Sequence, residues 1–240
     1  MPRVTLLEDV ETPYGRIEIV RARSGAVLYR QGTIHQSESD GNGVSLATYI
    51  HAIFSLLIQA WARNVLLIGC GGGVLGTMLS ATGARVTVVD VNEVSLLLAR
   101  KHFGMPDSIT THVADGAKYL ELSKRKFDAI VMDAYHDGDA PAHLDTPEVL
   151  ANAAARLTRA GLFIANVYLR DDDDPRARDL AARAAGAWKT VRVLDMPGEA
   201  WRNAIVMAGR VASLNEPELV LRPRIGARAI ADELKRFVFV

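Results

Sequence analysis

The residues best placed to do chemistry stand where apolar runs end. Ile68-Gly69-Cys70-Gly71-Gly72-Gly73-Val74-Leu75-Gly76 closes one apolar run and opens a helical one. Glycines there permit a tight turn and let a ligand reach the backbone with no side chain between. Asp90 ends the next run, about 20 residues on, the spacing at which an acid can accept from both hydroxyls of a ribose. Asp115, in Val113-Ala114-Asp115-Gly116-Ala117, ends a third run. Its carboxylate can accept from an adenine amino group, or cap a helix starting at 116. Asp133 ends a fourth. Gly69, Gly71, Gly73, Asp90, Asp115 and Gly116 thus form a candidate adenosine-binding set; a dinucleotide would need more anion-binding loop.

These residues need a scaffold that brings strand ends to one edge. From Asn64 onward apolar runs at 64–69, 85–90, 109–113, 127–133, 161–167, 189–195 and 203–208 alternate with helical stretches at 74–82, 92–103, 116–123, 146–158 and 175–187. The early runs are apolar on both faces, as in parallel strands covered by helices. The expected fold is α/β, a doubly wound, seven-stranded, mostly parallel sheet of the methyltransferase type. Before it, residues 3–35 read as short strands: Arg16-Ile17-Glu18-Ile19-Val20 alternates, and 13–15 and 23–25 are turns. The expected organisation is a small β-unit at 1–42, the α/β domain at 43–212 and a helical extension at 213–240.

Composition narrows the function. The 240 residues carry 28 Lys+Arg and 28 Asp+Glu, a net charge of zero, which argues against nucleic acid as partner and against broad electrostatic steering. One cysteine, Cys70, leaves no internal disulfide framework and no Cys-cluster metal site. Residues 44–61 are apolar, but Ser45, Thr48, His51, Ser55 and Gln59 interrupt them, and they barely reach the roughly 20 residues a bilayer needs. A helix buried against a sheet is the better reading. Met1–Val10 lacks a basic region followed by an apolar run, so the cytoplasm is the expected location.

The ordered stretch VLLIGCGGGVLGTML…VTVVDVNEVSLLLARKHFG…VADGAKYL…FDAIVMDAYHDGDAPAHLDTPEVL…RLTRAGLFIANV resembles the spermidine synthase-like family, on the S-adenosylmethionine-dependent methyltransferase fold. The likeness runs over about residues 14–209 and is most specific at Asp133-Ala134-Tyr135 and Pro141-Ala142-His143-Leu144. It implies a homodimeric transferase that moves an aminopropyl group from decarboxylated S-adenosylmethionine to a small amine. The nucleoside would be a co-substrate, with no tightly held cofactor. Under it Asp90 holds the ribose, Asp115 contacts adenine, Asp133 orients and deprotonates the amine, and Tyr49 lines the amine pocket. A carboxylate suits that task, because an amine attacks only when unprotonated. The sulfonium donor is already activated, so alignment is the main demand.

The chain departs from this pattern at three places. The glycine loop is one residue short and lacks the family's Asp, which removes an attraction for an ammonium tail and a repulsion against a carboxylate. Intact S-adenosylmethionine and methyl transfer therefore stand as one alternative, and a catalytically silent protein that keeps only the nucleoside site as another. The second catalytic-loop Asp is replaced by His136, an imidazole able to act as a base near neutral pH. His51 stands for a glutamate, and Gln36 for a displaced substrate-binding glutamine. With Tyr135, these form the candidate acceptor set. His136, Asp137, Asp139 and His143 have metal-ligand residue types but follow no metal spacing. Asp171–Asp174 reads as a solvated loop, Asp174 capping a helix that begins at Pro175.

Overall fold

A computed structural model describes residues 4–32, 34–135 and 141–240. Strands β1 (Thr5–Val10), β2 (Ile17–Arg21), β3 (Val27–Gln31) and β4 (Ile34–Ser39) form an antiparallel sheet in that order. The alternation in β2 and β3 buries Ile17, Ile19, Val27 and Tyr29 together. Helix α1 (Thr48–Gln59) follows and is almost wholly buried; Ile50, Ile53, Phe54, Leu56 and Leu57 join the same core. Inside the fold Ser55 accepts from Glu218 N–H, Thr48 donates to Glu233 and His51 Nε2 pairs with the Ser45 carbonyl, which explains the polar interruptions. Among the described residues no helix is long and apolar enough to cross a membrane.

The α/β part runs β5 (Asn64–Ile68), α2 (Val74–Ala81), β6 (Arg85–Asp90), α3 (Glu93–Phe103), β7 (Thr110–Val113), α4 (Gly116–Leu122) and β8 (Phe127–Met132). A single 3-10 turn (Ala142–Leu144) then leads to α5 (Pro147–Arg156), β9 (Leu157–Leu169), α6 (Arg176–Ala184), β10 (Val191–Asp195), β11 (Arg202–Gly209), α7 (Ala227–Leu234) and β12 (Val238–Phe239). The sheet order is β12-β10-β11-β9-β8-β5-β6-β7. Pairings from β7 to β9 are parallel; β11 inserts antiparallel between β9 and β10. All seven expected strands form. The apolar tail adds an eighth, β12, on the β10 edge, with Arg192 lying 3.3 Å over the Phe239 ring.

Two cores sandwich this sheet. Along β5, Val65 and Leu67 face the core shared with α1, α2 and the N-terminal sheet, while Leu66 and Ile68 face the core under α4, α5 and α6. Burial on both faces is why these runs read as continuously apolar. The largest deviation from expectation is β9. It begins at Leu157, where a helix was expected to continue to 158, and runs 13 residues, with Gly161 packed closely on Leu157. Because β5, β6, β7 and β8 run parallel, their carboxyl ends share one edge. The chain switches direction between β5 and β8, where open α/β sheets hold ligands.

Candidate active site

That edge carries a cavity of about 660 Å³, within the usual size of a small-molecule site. Its walls bring together Gly69, Cys70 and Gly71 after β5, Asp90 after β6, Asp115 and Gly116 after β7, and Asp133 and Tyr135 after β8. Tyr49 of α1 and Tyr29, Gln31 and Gln36 of the N-terminal sheet close the opposite side. Four segments spread over residues 69–135 thus meet because parallel topology aligns their strand ends.

The first glycine is dictated by closeness. Gly69 has φ +97°, and a Cβ there would lie 2.2 Å from the Asp133 carbonyl oxygen. Asp133 N–H donates to the Ile68 carbonyl (2.9 Å) and Gly69 N–H to that of Val89 (2.9 Å), so this crossing pins the β5, β6 and β8 tips together. Ser37 Oγ on β4 accepts from Gly72 N–H at 2.9 Å and fastens the loop to the N-terminal sheet. Gly73 departs from expectation: it does not line the cavity. It holds φ +66° at the start of α2, and a Cβ there would press on Met105 Sδ and the Ala99 Cβ. Its role is packing. Gly116 lines the cavity and also packs tightly, since a Cβ would sit 2.4 Å from Ile68 Cγ2.

The three acids are held differently. Asp90 Oδ2 accepts from Cys70 N–H (2.7 Å) and Oδ1 from Asn92 N–H (2.8 Å). Burial raises its pKa above the usual carboxylate value, and the two backbone donors offset part of that rise. Asp115 caps α4, accepting from Lys118 N–H (2.9 Å), and its second oxygen takes a 2.7 Å hydrogen bond from His143 Nε2. Partial burial raises its pKa, but these donors together outweigh that and hold it below the ordinary range. Capping and cavity-lining therefore coincide in one residue.

Among the described residues the Asp133 carboxylate is bonded by side chains alone. Asn166 Nδ2 donates to its Oδ1 at 2.8 Å and the Tyr49 hydroxyl to its Oδ2 at 3.3 Å. Burial pushes its pKa up and these two donors pull it partly back. Burial likewise lifts the Tyr49 phenol far above its normal value, with the Asp133 charge adding to the effect, so Tyr49 stays a donor. The Cys70 thiol is also pushed up by burial, which makes it inert packing at neutral pH.

One expected acceptor residue falls elsewhere, and another is not among the described residues. His51 is buried away from the cavity, its Nε2 2.8 Å from the Ser45 carbonyl oxygen; burial lowers its pKa, so a neutral, structural imidazole replaces the expected acceptor contact. His136 lies outside the described residues, as do Asp137 and Asp139. Sequence reasoning missed Tyr14, Tyr29, Ser37, His143 in its pairing with Asp115, and Asn166. Asn166 had a readable signal: it is the one amide in the otherwise apolar GLFIANV run.

The sheet order and this crevice define the class, a methyltransferase-type α/β protein with a nucleoside-sized site. The methyltransferase domain family matches residues 65–162. The chain is 28% identical over 179 residues to the polyamine aminopropyltransferase of Chromobacterium violaceum, covering 72% of this chain and 64% of that one. A probable spermidine synthase from Corynebacterium glutamicum superposes with a TM-score of 0.77 at 19% identity, covering 100% of this chain and 91% of that one. A spermidine synthase in complex with the transition-state analogue AdoDATO gives 0.71 at 20% identity, covering 94% and 84%. The chain has the α/β fold of the spermidine synthases it superposes on, and the relatives it matches are named polyamine aminopropyltransferases.

Proposed function

We propose that this chain is a transferase that binds an S-adenosylmethionine-type nucleoside as co-substrate and moves an aminopropyl group from its decarboxylated form to a small amine. The observation that carries this reading is Asp133, a half-buried carboxylate on the same cavity wall as Asp90 and Asp115. The glycine turn, Asp90 and Asp115 hold adenosine. Asp133, aligned by Tyr49 and Asn166, accepts the proton that the attacking amine loses as the C–N bond forms and the C–S bond breaks. Its raised pKa makes it a better base than a surface aspartate. Gln36 and Tyr135 border the acceptor's end of the cavity. Resemblance to polyamine synthases supports a cytoplasmic homodimer, which sedimentation would check.

Methyl transfer from intact S-adenosylmethionine is the second reading. It is favoured by the glycine loop, which lines the cavity with Gly69, Cys70 and Gly71 and carries no carboxylate to meet an ammonium tail. Calorimetry separates the two. Tenfold tighter binding of decarboxylated over intact S-adenosylmethionine, about 1.4 kcal/mol, supports aminopropyl transfer. Equal or tighter binding of the intact form overturns it in favour of methylation. Failure of both, and of methylthioadenosine, overturns the nucleoside site itself.

A further inference from the structure

Asp133 is tied to a residue that touches neither the cavity nor any ligand it holds. Asn166 Nδ2 donates to Asp133 Oδ1 at 2.8 Å, and Asn203 Nδ2 donates to Asn166 Oδ1 at 2.9 Å. The Tyr135 hydroxyl donates to the Asn166 carbonyl at 2.9 Å. Asn166 lies on β9 and is 5% exposed; Asn203 lies near the start of β11. The antiparallel register pairs Asn203 with Tyr168 and Ile205 with Asn166, so the two amides are diagonal neighbours on one sheet face. Neither lines the main cavity.

An amide has two ends of opposite polarity, and only one orientation suits a carboxylate. Were Asn166 turned over, its oxygen would face Asp133 Oδ1 and its NH2 would face the NH2 of Asn203. Both contacts would repel. Asn203 therefore backs the orientation of Asn166 that turns its donor end toward Asp133.

We propose that Asn203 is a positioning residue that acts through Asn166 to hold Asp133 in place and deprotonated beside the acceptor. This rests on the reading of Asp133 as the base. The other titratable groups on the cavity wall are Tyr49 from α1, Tyr135 from the loop after β8, Cys70 from the glycine loop, Asp90 from β6, Asp115 from β7, His143 from the 3-10 turn, and Tyr14 and Tyr29 from the N-terminal sheet; His136, Asp137 and Asp139 lie outside the described residues. Asn166 lowers the pKa that burial raises in Asp133, so weakening its grip moves the midpoint upward.

The test follows carboxyl-carbon NMR titrations of ligand-free protein carrying labelled aspartate, with Asp133→Asn and Asp90→Asn assigning the two resonances. Asn166→Ala should raise the Asp133 midpoint by about one pH unit or more, tenfold in its ionisation constant. Asn203→Ala should raise it by a smaller amount, and both should leave Asp90 where it was. An unmoved Asp133 midpoint in Asn203→Ala refutes the relay; equal movement of Asp90 refutes it too, because general loosening would then be the cause. The acidic limb of the turnover profile should shift with the midpoint. Absence of turnover with every donor and amine, beside a shifted midpoint, would sink the functional reading and leave the relay standing.

Discussion

Asp133→Asn separates holding from chemistry. The new side chain keeps the size of the old, and Asn166 Nδ2 still finds an acceptor in its oxygen, at the 2.8 Å site. At the other end an NH2 replaces Oδ2, and the Tyr49 hydroxyl turns from donating to accepting. Only the 3.3 Å Tyr49 bond is reversed, which frees the phenol hydrogen, so the cost in hydrogen bonding is about 1 kcal/mol. A buried charge is also removed. Because burial raises the folded-state pKa of Asp133 above 3.8, the folded state holds a proton the unfolded chain has released between those two values. Stability from this group is thus full below the unfolded pKa and is lost as pH rises through the folded one. At neutral pH Asp133→Asn escapes that loss.

The expected result is threefold: an unchanged or higher melting temperature at pH 7, donor affinity within about threefold of wild type, and turnover reduced roughly 10²–10⁴-fold, the usual contribution of a general base. The rate loss equals about 3–5 kcal/mol of barrier. Release of methylthioadenosine from decarboxylated S-adenosylmethionine, measured with a panel of small primary amines, reads the reaction without knowing the acceptor. Turnover within tenfold of wild type would refute Asp133 as base. A melting temperature lower by about 8 °C, some 2–4 kcal/mol in a chain this long, would refute the self-satisfying network.

Asp90→Asn should weaken nucleoside binding about 10–100-fold by calorimetry, since it removes a charged acceptor for ribose hydroxyls and sets an NH2 against the Cys70 or Asn92 N–H. Gly69→Ala should cost at least about 3 kcal/mol in urea unfolding and abolish nucleoside binding, because its Cβ would meet the Asp133 carbonyl oxygen at 2.2 Å at a φ alanine rarely adopts. Arg202→Met should cost about 3–5 kcal/mol, as Arg202 Nε and Nη2 hold both oxygens of buried Asp195 at 2.7 and 2.8 Å. Asp115, whose pKa is lowered, supports stability that is present above its unfolded pKa of 3.8 and lost as pH falls through the folded value. An acid-unfolding curve of Asp115→Asn should lose that component.

What was legible was governed by local rules. Strands β5, β6 and β8 announce themselves because both faces are buried, and the acids at the strand ends are readable because parallel strands end on one edge. Asp115 as a helix cap follows from its place before Gly116. The misreadings concern pairing across distance. His51 sits on the same helix as Tyr49, but two helical positions differ by about 200°, so the two side chains point to opposite sides of α1, one to the cavity and one to Ser45. Gly73 shares a glycine run with Gly69 yet faces α3. Asn166 and Asn203 are 37 residues apart and meet only through the antiparallel insertion of β11, which no local pattern specifies.

The three carboxylates of this neutral chain differ most in what their partners can do when a proton arrives. Asp90 is held by two backbone N–H groups, which donate and never accept. Protonating it would waste one of those bonds, so it suits a fixed charge that grips a ribose. Asp115 faces a backbone N–H and an imidazole, and donors again dominate. Asp133 alone has a hydroxyl partner that can reverse its role, because Tyr49 can donate to the carboxylate or accept from the acid. Asn166 keeps its bond in either state, since it addresses the other oxygen. Asp133 thus combines a hydroxyl that can turn to accept its proton with an amide that holds its other oxygen in either state, on the wall of the cavity where an amine would release that proton.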